Sequence, residues 1–98
     1  MARPLRLEFP GAVYHVIVRG NERKPIFRDD ADRRWYLDRL AGYGNDLGFS
    51  VFAYCLLGNH AHFAVRSDVA PLSRLMARLQ SSYTQYFNRR HGRVGHLF

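Results

Sequence analysis

The sequence predicts an α+β domain in which two helices pack on one face of an antiparallel sheet. Three observations predict it. Two stretches, near residues 30–47 and 71–91, carry apolar residues at helical spacing. Three shorter stretches are rich in branched and aromatic residues and end in turn signals. The chain has 98 residues and is 47% hydrophobic, enough for one domain, 1–98, with its own core. Cys55 is the only cysteine, so an intrachain disulfide framework is excluded.

The elements come in order. Pro4, Pro10 and Gly11 punctuate a lead-in whose first residues do not read as a signal peptide. Val13 to Arg19 (VYHVIVR) reads as a strand, ended by Gly20-Asn21 and a loop to Pro25. Asp29 and Asp30 offer N-cap oxygens to a helix whose Tyr36, Leu40, Tyr43 and Leu47 share one face, with Gly48 as its stop. Ser50 to Leu57 is an apolar run of strand length, and Cys55 within it reads as a small core residue. Val51 to Leu57 is the longest apolar run and far too short to cross a bilayer. Gly58-Asn59 turns the chain back into a strand from His60 to Arg66, a hairpin signal. Pro71 opens the second helix. Leu72, Leu75, Met76, Leu79, Tyr83, Tyr86 and Phe87 form its apolar face, which fails before Gly92. The order β-α-β-β-α is the split, ferredoxin-like arrangement, with its final strand missing or only begun at Val94 to Phe98. Both helices then cover one sheet face and leave the other open for a site.

Charge narrows the partner. The formal net charge is +7, and Lys24 is the only lysine. From residue 66 onward six arginines face a single acid, Asp68. Guanidinium forks bind phosphate bidentately and stack on bases, so the excess points to nucleic acid. A chain with one free cysteine and no membrane span is expected in the cytoplasm.

His60-Ala61-His62 carries the chemistry. Side chains at i and i+2 of a strand share a face, so both imidazoles project with Ala64 and Arg66. Ala61, Phe63 and Val65 point the other way, toward a helix-covered core. Paired neutral imidazoles can hold a divalent metal, which can polarise a phosphoryl oxygen.

LLGNHAHFAV resembles the His-hydrophobic-His strand of single-tyrosine HUH transposases, in particular the REP-associated tyrosine transposases. VYHVIVRGNERKPIF resembles that family's first strand and loop, and LSRLMARLQSSYTQYFNRRHGRVGHLF its second helix and the start of the segment after it. The resemblance implies a ferredoxin-like fold, His60 and His62 as ligands of Mg²⁺ or Mn²⁺, and cleavage of single-stranded or hairpin DNA for transposition. It also implies a nucleophilic tyrosine that forms a 5′-phosphotyrosine link and releases a 3′-hydroxyl. In the family that tyrosine, with a further polar metal ligand, lies on a helix after the fourth strand. No residue up to Phe98 matches it, so the domain is expected to be incomplete at its C-terminus and inactive by itself. Related enzymes act as monomers or as dimers that exchange the tyrosine helix, so a homodimer is a further expectation.

Tyr83 and Tyr86 fall on the apolar helix face and read as packing residues. His15 shares a strand face with Val13, Ile17 and Arg19 and is open to three readings: a second layer behind the paired histidines, a DNA contact, or a satisfied structural histidine. Arg19, Arg66, Arg89, Arg90 and Arg93 are the expected DNA contacts, and His91 and His96 are read as solvent-exposed or DNA-facing. Two other readings compete. One is a non-catalytic module binding single-stranded or hairpin nucleic acid, a degenerate transposase. RNA-recognition sheets present aromatics, whereas the open face here presents His60, His62 and Arg66. The other, a metal-binding protein without nucleic acid, leaves the arginine excess unexplained.

Overall fold

The computed structural model describes residues 11–98; the lead-in with Pro4 and Pro10 lies outside them. Strand β1 (Val13–Arg19) is followed by a short 3₁₀ turn (Asn21–Arg23) and helix α1 (Asp30–Leu47). Strands β2 (Phe49–Leu56) and β3 (His60–Ser67) form a hairpin, and helix α2 (Leu72–His91) comes after it. The sheet is antiparallel with order β1-β3-β2, so β3 is central. The fold is the predicted β-α-β-β-α arrangement. Among the described residues no helix is long and apolar enough to cross a membrane.

Local chemistry explains the boundaries. Asp29 caps α1 by accepting the amide N–H of Asp32 at 3.0 Å. Gly48 ends it in the left-handed conformation, φ 77°, which a residue without Cβ adopts at little cost. Pro71 stands at the N-cap of α2, one position before its first helical residue, and Gly92 closes the helix at φ 62°.

β3 alternates as the sequence demands: Ala61, Phe63 and Val65 are buried under the helices. They meet Val16 and Val18 of β1, Tyr36 and Leu40 of α1, and Leu72, Leu75, Leu79, Tyr83 and Phe87 of α2. Tyr36 and Tyr83 pack edge to face at 5.0 Å, and the Tyr36 hydroxyl donates to Gln80 Oε1 at 3.1 Å.

Two expectations are corrected, and one open alternative is decided. Cys55 is exposed, not a core residue. Its strand carries a bulge between Val51 and Ala53: Val51 pairs with Val65, and Ala53 with the next residue, Ala64. Phe52 is the extra residue, 61% exposed, and it shifts the side-chain phase of everything after it. Tyr54 therefore pairs with Phe63 on the helix side, and Cys55 pairs with His62 on the open side. Of the two alternatives for the final strand, missing or only begun, the described residues show the first: Val94 to Phe98 forms no strand. It is coil, with Leu97 buried and its carbonyl accepting the amide of Asn21 at 2.8 Å. The second correction is His91, which is largely buried against Asp32 rather than facing solvent.

Candidate functional site on the open sheet face

The site is assembled by one central strand and two loops. His60 and His62 leave β3 on the face away from the helices, their rings 5.0 Å apart and nearly perpendicular. Arg19 of β1 is the direct cross-strand partner of His60, and Ile17 that of His62. A cavity of about 410 Å³ opens here, lined by Arg19, Arg23, Asn59, His60 and His62. No carboxylate is among its lining residues, so the wall is cationic and neutral.

Backbone bonds hold the two loops together. The amide of Gly20 donates to the carbonyl of Asn59 at 2.9 Å, and those of Ile26 and Phe27 to Gly58 at 2.8 and 3.1 Å. The buried Tyr83 hydroxyl donates to the Ile26 carbonyl from below. Gly20 lies so close to this crossing that a Cβ there would sit 2.0 Å from the Lys24 carbonyl oxygen. Glu22 and Arg23 both adopt left-handed backbone, φ 55° and 60°, which turns Arg23 toward the cavity.

The Asn59 amide uses both ends. Its Nδ2 donates to the Arg23 carbonyl at 3.4 Å, and its Oδ1 lies 2.8 Å from His60 Nδ1. Oδ1 accepts only, so the neutral His60 tautomer that makes this bond carries its proton on Nδ1 and keeps the Nε2 lone pair for a ligand. His62 Nδ1 lies 3.4 Å from His15 Nε2, and the two rings stack at 5.5 Å. His15 thus backs His62 as Asn59 backs His60. Two imidazoles supply two donors to a cation. Among the described residues no three His, Cys, Asp or Glu side chains converge to complete such a set.

Other expected site residues are spread wider. Arg66 shares the open face but pairs with Val13, about 20 Å along the strand from His60. Arg89 is exposed on the outer side of the helix layer. The Arg90 guanidinium is held by Asp29 at 2.6 and 2.8 Å and by Asp32 at 2.7 Å. Arg93 donates to Asn88 Oδ1 and the His96 carbonyl, which folds the tail. Arg23 and Asn59 were missed as site residues. The signal was weak, a polar loop and a turn, and only the loop crossing brings them to the histidines.

The tyrosines lie elsewhere. Tyr14 alternates with His15 and faces the helices, as does Tyr54. Tyr36 and Tyr83 are fully buried, and burial pushes both phenols well above their ordinary range. Tyr86 is half-buried, and its hydroxyl donates to Asp32 Oδ1 at 3.0 Å. Burial first, then that carboxylate, raises its pKa. Tyr43 sits on α1 under the Arg78 guanidinium.

The site is thus a histidine pair on the open face of the sheet with Arg19 and Arg23 beside it. The family comparison is more specific: a model described as IS200-like transposase matches residues 9–98. The chain belongs to the IS200-like transposase family, whose business is DNA transposition. No curated protein and no solved structure matches it.

Proposed function

We propose that the open face binds single-stranded or hairpin DNA and holds a divalent cation, Mg²⁺ or Mn²⁺, through Nε2 of His60 and His62. The observation that carries this reading is the pair of imidazoles in a cationic cavity, His60 with its Nε2 left available by Asn59. When bound, the cation would polarise a phosphoryl oxygen of the strand. Arg19 and Arg23 neutralise the flanking phosphates, and His15 orients His62. The attacking tyrosine, which would join the 5′-phosphate and release a 3′-hydroxyl, is supplied from outside residues 11–98. In support, Tyr36 and Tyr83 are buried, Tyr86 is tied to Asp32, and Tyr14 and Tyr54 face the helix side. By itself this domain is the binding half of a cleavage site.

Mn²⁺ titration of the wild type and of a His60→Ala/His62→Ala variant tests the reading. Saturable binding by the wild type and none by the variant is expected. Equal binding by both would overturn it. Affinity should be weak, because two imidazoles fill only part of a coordination shell.

A further inference from the structure

The opposite side of the molecule carries a second polar cavity that the histidine site does not use. It lies between α1 and α2, has a volume of about 370 Å³, and is lined by Trp35, Arg39, Ser82, Gln85, Tyr86, Arg89 and Arg90. Trp35 and Tyr86 stack at 4.4 Å and 13° and form its floor. The Arg39 guanidinium lies 4.7 Å from the centre of the Trp35 ring. A guanidinium stacked on an indole is oriented without spending its N–H donors, so the fork stays available to an acceptor. Arg89, one residue before the tethered Arg90, is exposed at the same cavity.

The charge is one-sided. No carboxylate lines the cavity. Asp29 and Asp32 are bound by Arg90, and Asp38 lines a groove on the other side of α1, toward β2. Among the described residues neither Arg39 nor Arg89 has an acidic side chain within ion-pair distance. Ser82 spends its hydroxyl proton on backbone carbonyls of its own helix, which leaves Gln85 as the neutral donor. Two preoriented or exposed guanidinium forks and an amide around a concave floor fit the oxygens of a phosphodiester.

We infer that this helix-layer cavity is a second DNA-backbone site, built on Arg39 and Arg89, which holds a phosphodiester of the strand outside the segment engaged at the histidine face. The inference goes beyond the histidine reading and needs no metal. It takes from the family only that the partner is DNA. A strand held at both places runs around the edge of the domain, whose thinnest dimension is 19 Å.

Trp35 is the only tryptophan of the chain, so its emission reports on this cavity alone. The test adds oligothymidylate to the wild-type protein in EDTA and follows Trp35 fluorescence beside the anisotropy of the labelled strand. DNA binding should change the Trp35 emission with the same midpoint as the anisotropy. In an Arg39→Gln/Arg89→Gln variant that change should vanish. The slope of log K against log salt should become shallower by about 1.4, two single-strand contacts at about 0.7 each. Trp35 emission that stays constant while the strand binds would overturn the inference, and so would a wild-type salt slope in the variant. The variant should still bind Mn²⁺. Wild-type protein that gives the Trp35 response but binds no Mn²⁺ would count against the histidine reading alone.

Discussion

Asp32 shows how one residue ties the two helices. It is 0% exposed, yet it accepts from the Arg28 amide, the Tyr86 hydroxyl, Arg90 and His91. Burial opposes its ionisation, but these donors outweigh it and hold the pKa below the ordinary 3.8. A carboxylate with a depressed folded pKa stabilises fully above its unfolded value and loses that contribution as pH falls through the folded one. Asp32→Asn should cost about 1.5–3 kcal/mol at neutral pH, the range for hydrogen bonds to a charged group. It should also flatten the loss of stability below about pH 4. Urea melts at pH 7 and pH 3 check both, and equal destabilisation at the two pH values would refute the assignment. Cys55 makes a second residue-scale test. Its place on the open face predicts full reaction with a thiol reagent in the native state. Protection until unfolding would contradict the bulge-shifted phase of β2.

At the scale of elements, that bulge and the loop after β1 decide the site. Phe52 is the surplus residue of β2, so deleting it should leave Tyr54 and Cys55 on their present faces. Stability should change by no more than about 1 kcal/mol, since Phe52 is mostly exposed. Its removal is measured by thermal unfolding together with Cys55 reactivity; a switch of Cys55 to the protected state would show that the register follows the sequence alternation instead. Gly20 is the opposite case. A Cβ there collides with backbone, not with a flexible side chain. Gly20→Ala should displace the Arg23 loop and weaken DNA binding at the histidine face, while the Trp35 response at the helix face persists. Unchanged affinity would mean that Arg23 does not touch the strand.

The whole molecule is a two-faced layer, with imidazoles and arginines on the sheet side and an arginine–aromatic cavity on the helix side. The outer edge of β1 is bordered by a groove between Val16, Ile17, Val18 and Arg19 and the α2 residues Ser73, Met76, Ala77 and Gln80. In the ferredoxin-like order a fourth strand would pair there, beside the tail held by Leu97. With its tyrosines committed elsewhere, the chain should bind a labelled hairpin in Mn²⁺ without becoming joined to it. Denaturing gel analysis reads this directly. A DNA-linked band that disappears in Tyr86→Phe would place the nucleophile inside this domain and refute the proposed division of labour.

Much of the architecture was legible in the sequence because it rests on periodicity. Alternation along His60–Ser67 separates imidazoles from core in any sheet, and the α2 apolar stripe defines its buried face wherever the helix docks. The caps at Asp29, Gly48 and Gly92 are equally local, since each satisfies backbone groups within a few residues. What only the tertiary structure decided depends on contacts between distant segments. Cys55 changed face because β2 bulges where it pairs with β3, and pairing register is not written in either strand alone. Arg90 and His91 turned inward because the C-terminal end of α2 meets the start of α1, where Asp29 and Asp32 offer carboxylates. Arg23 and Asn59 joined the histidines because two loops some 36 residues apart cross and share backbone hydrogen bonds. A spacing rule sees one element at a time; the site and the second cavity arise where elements meet.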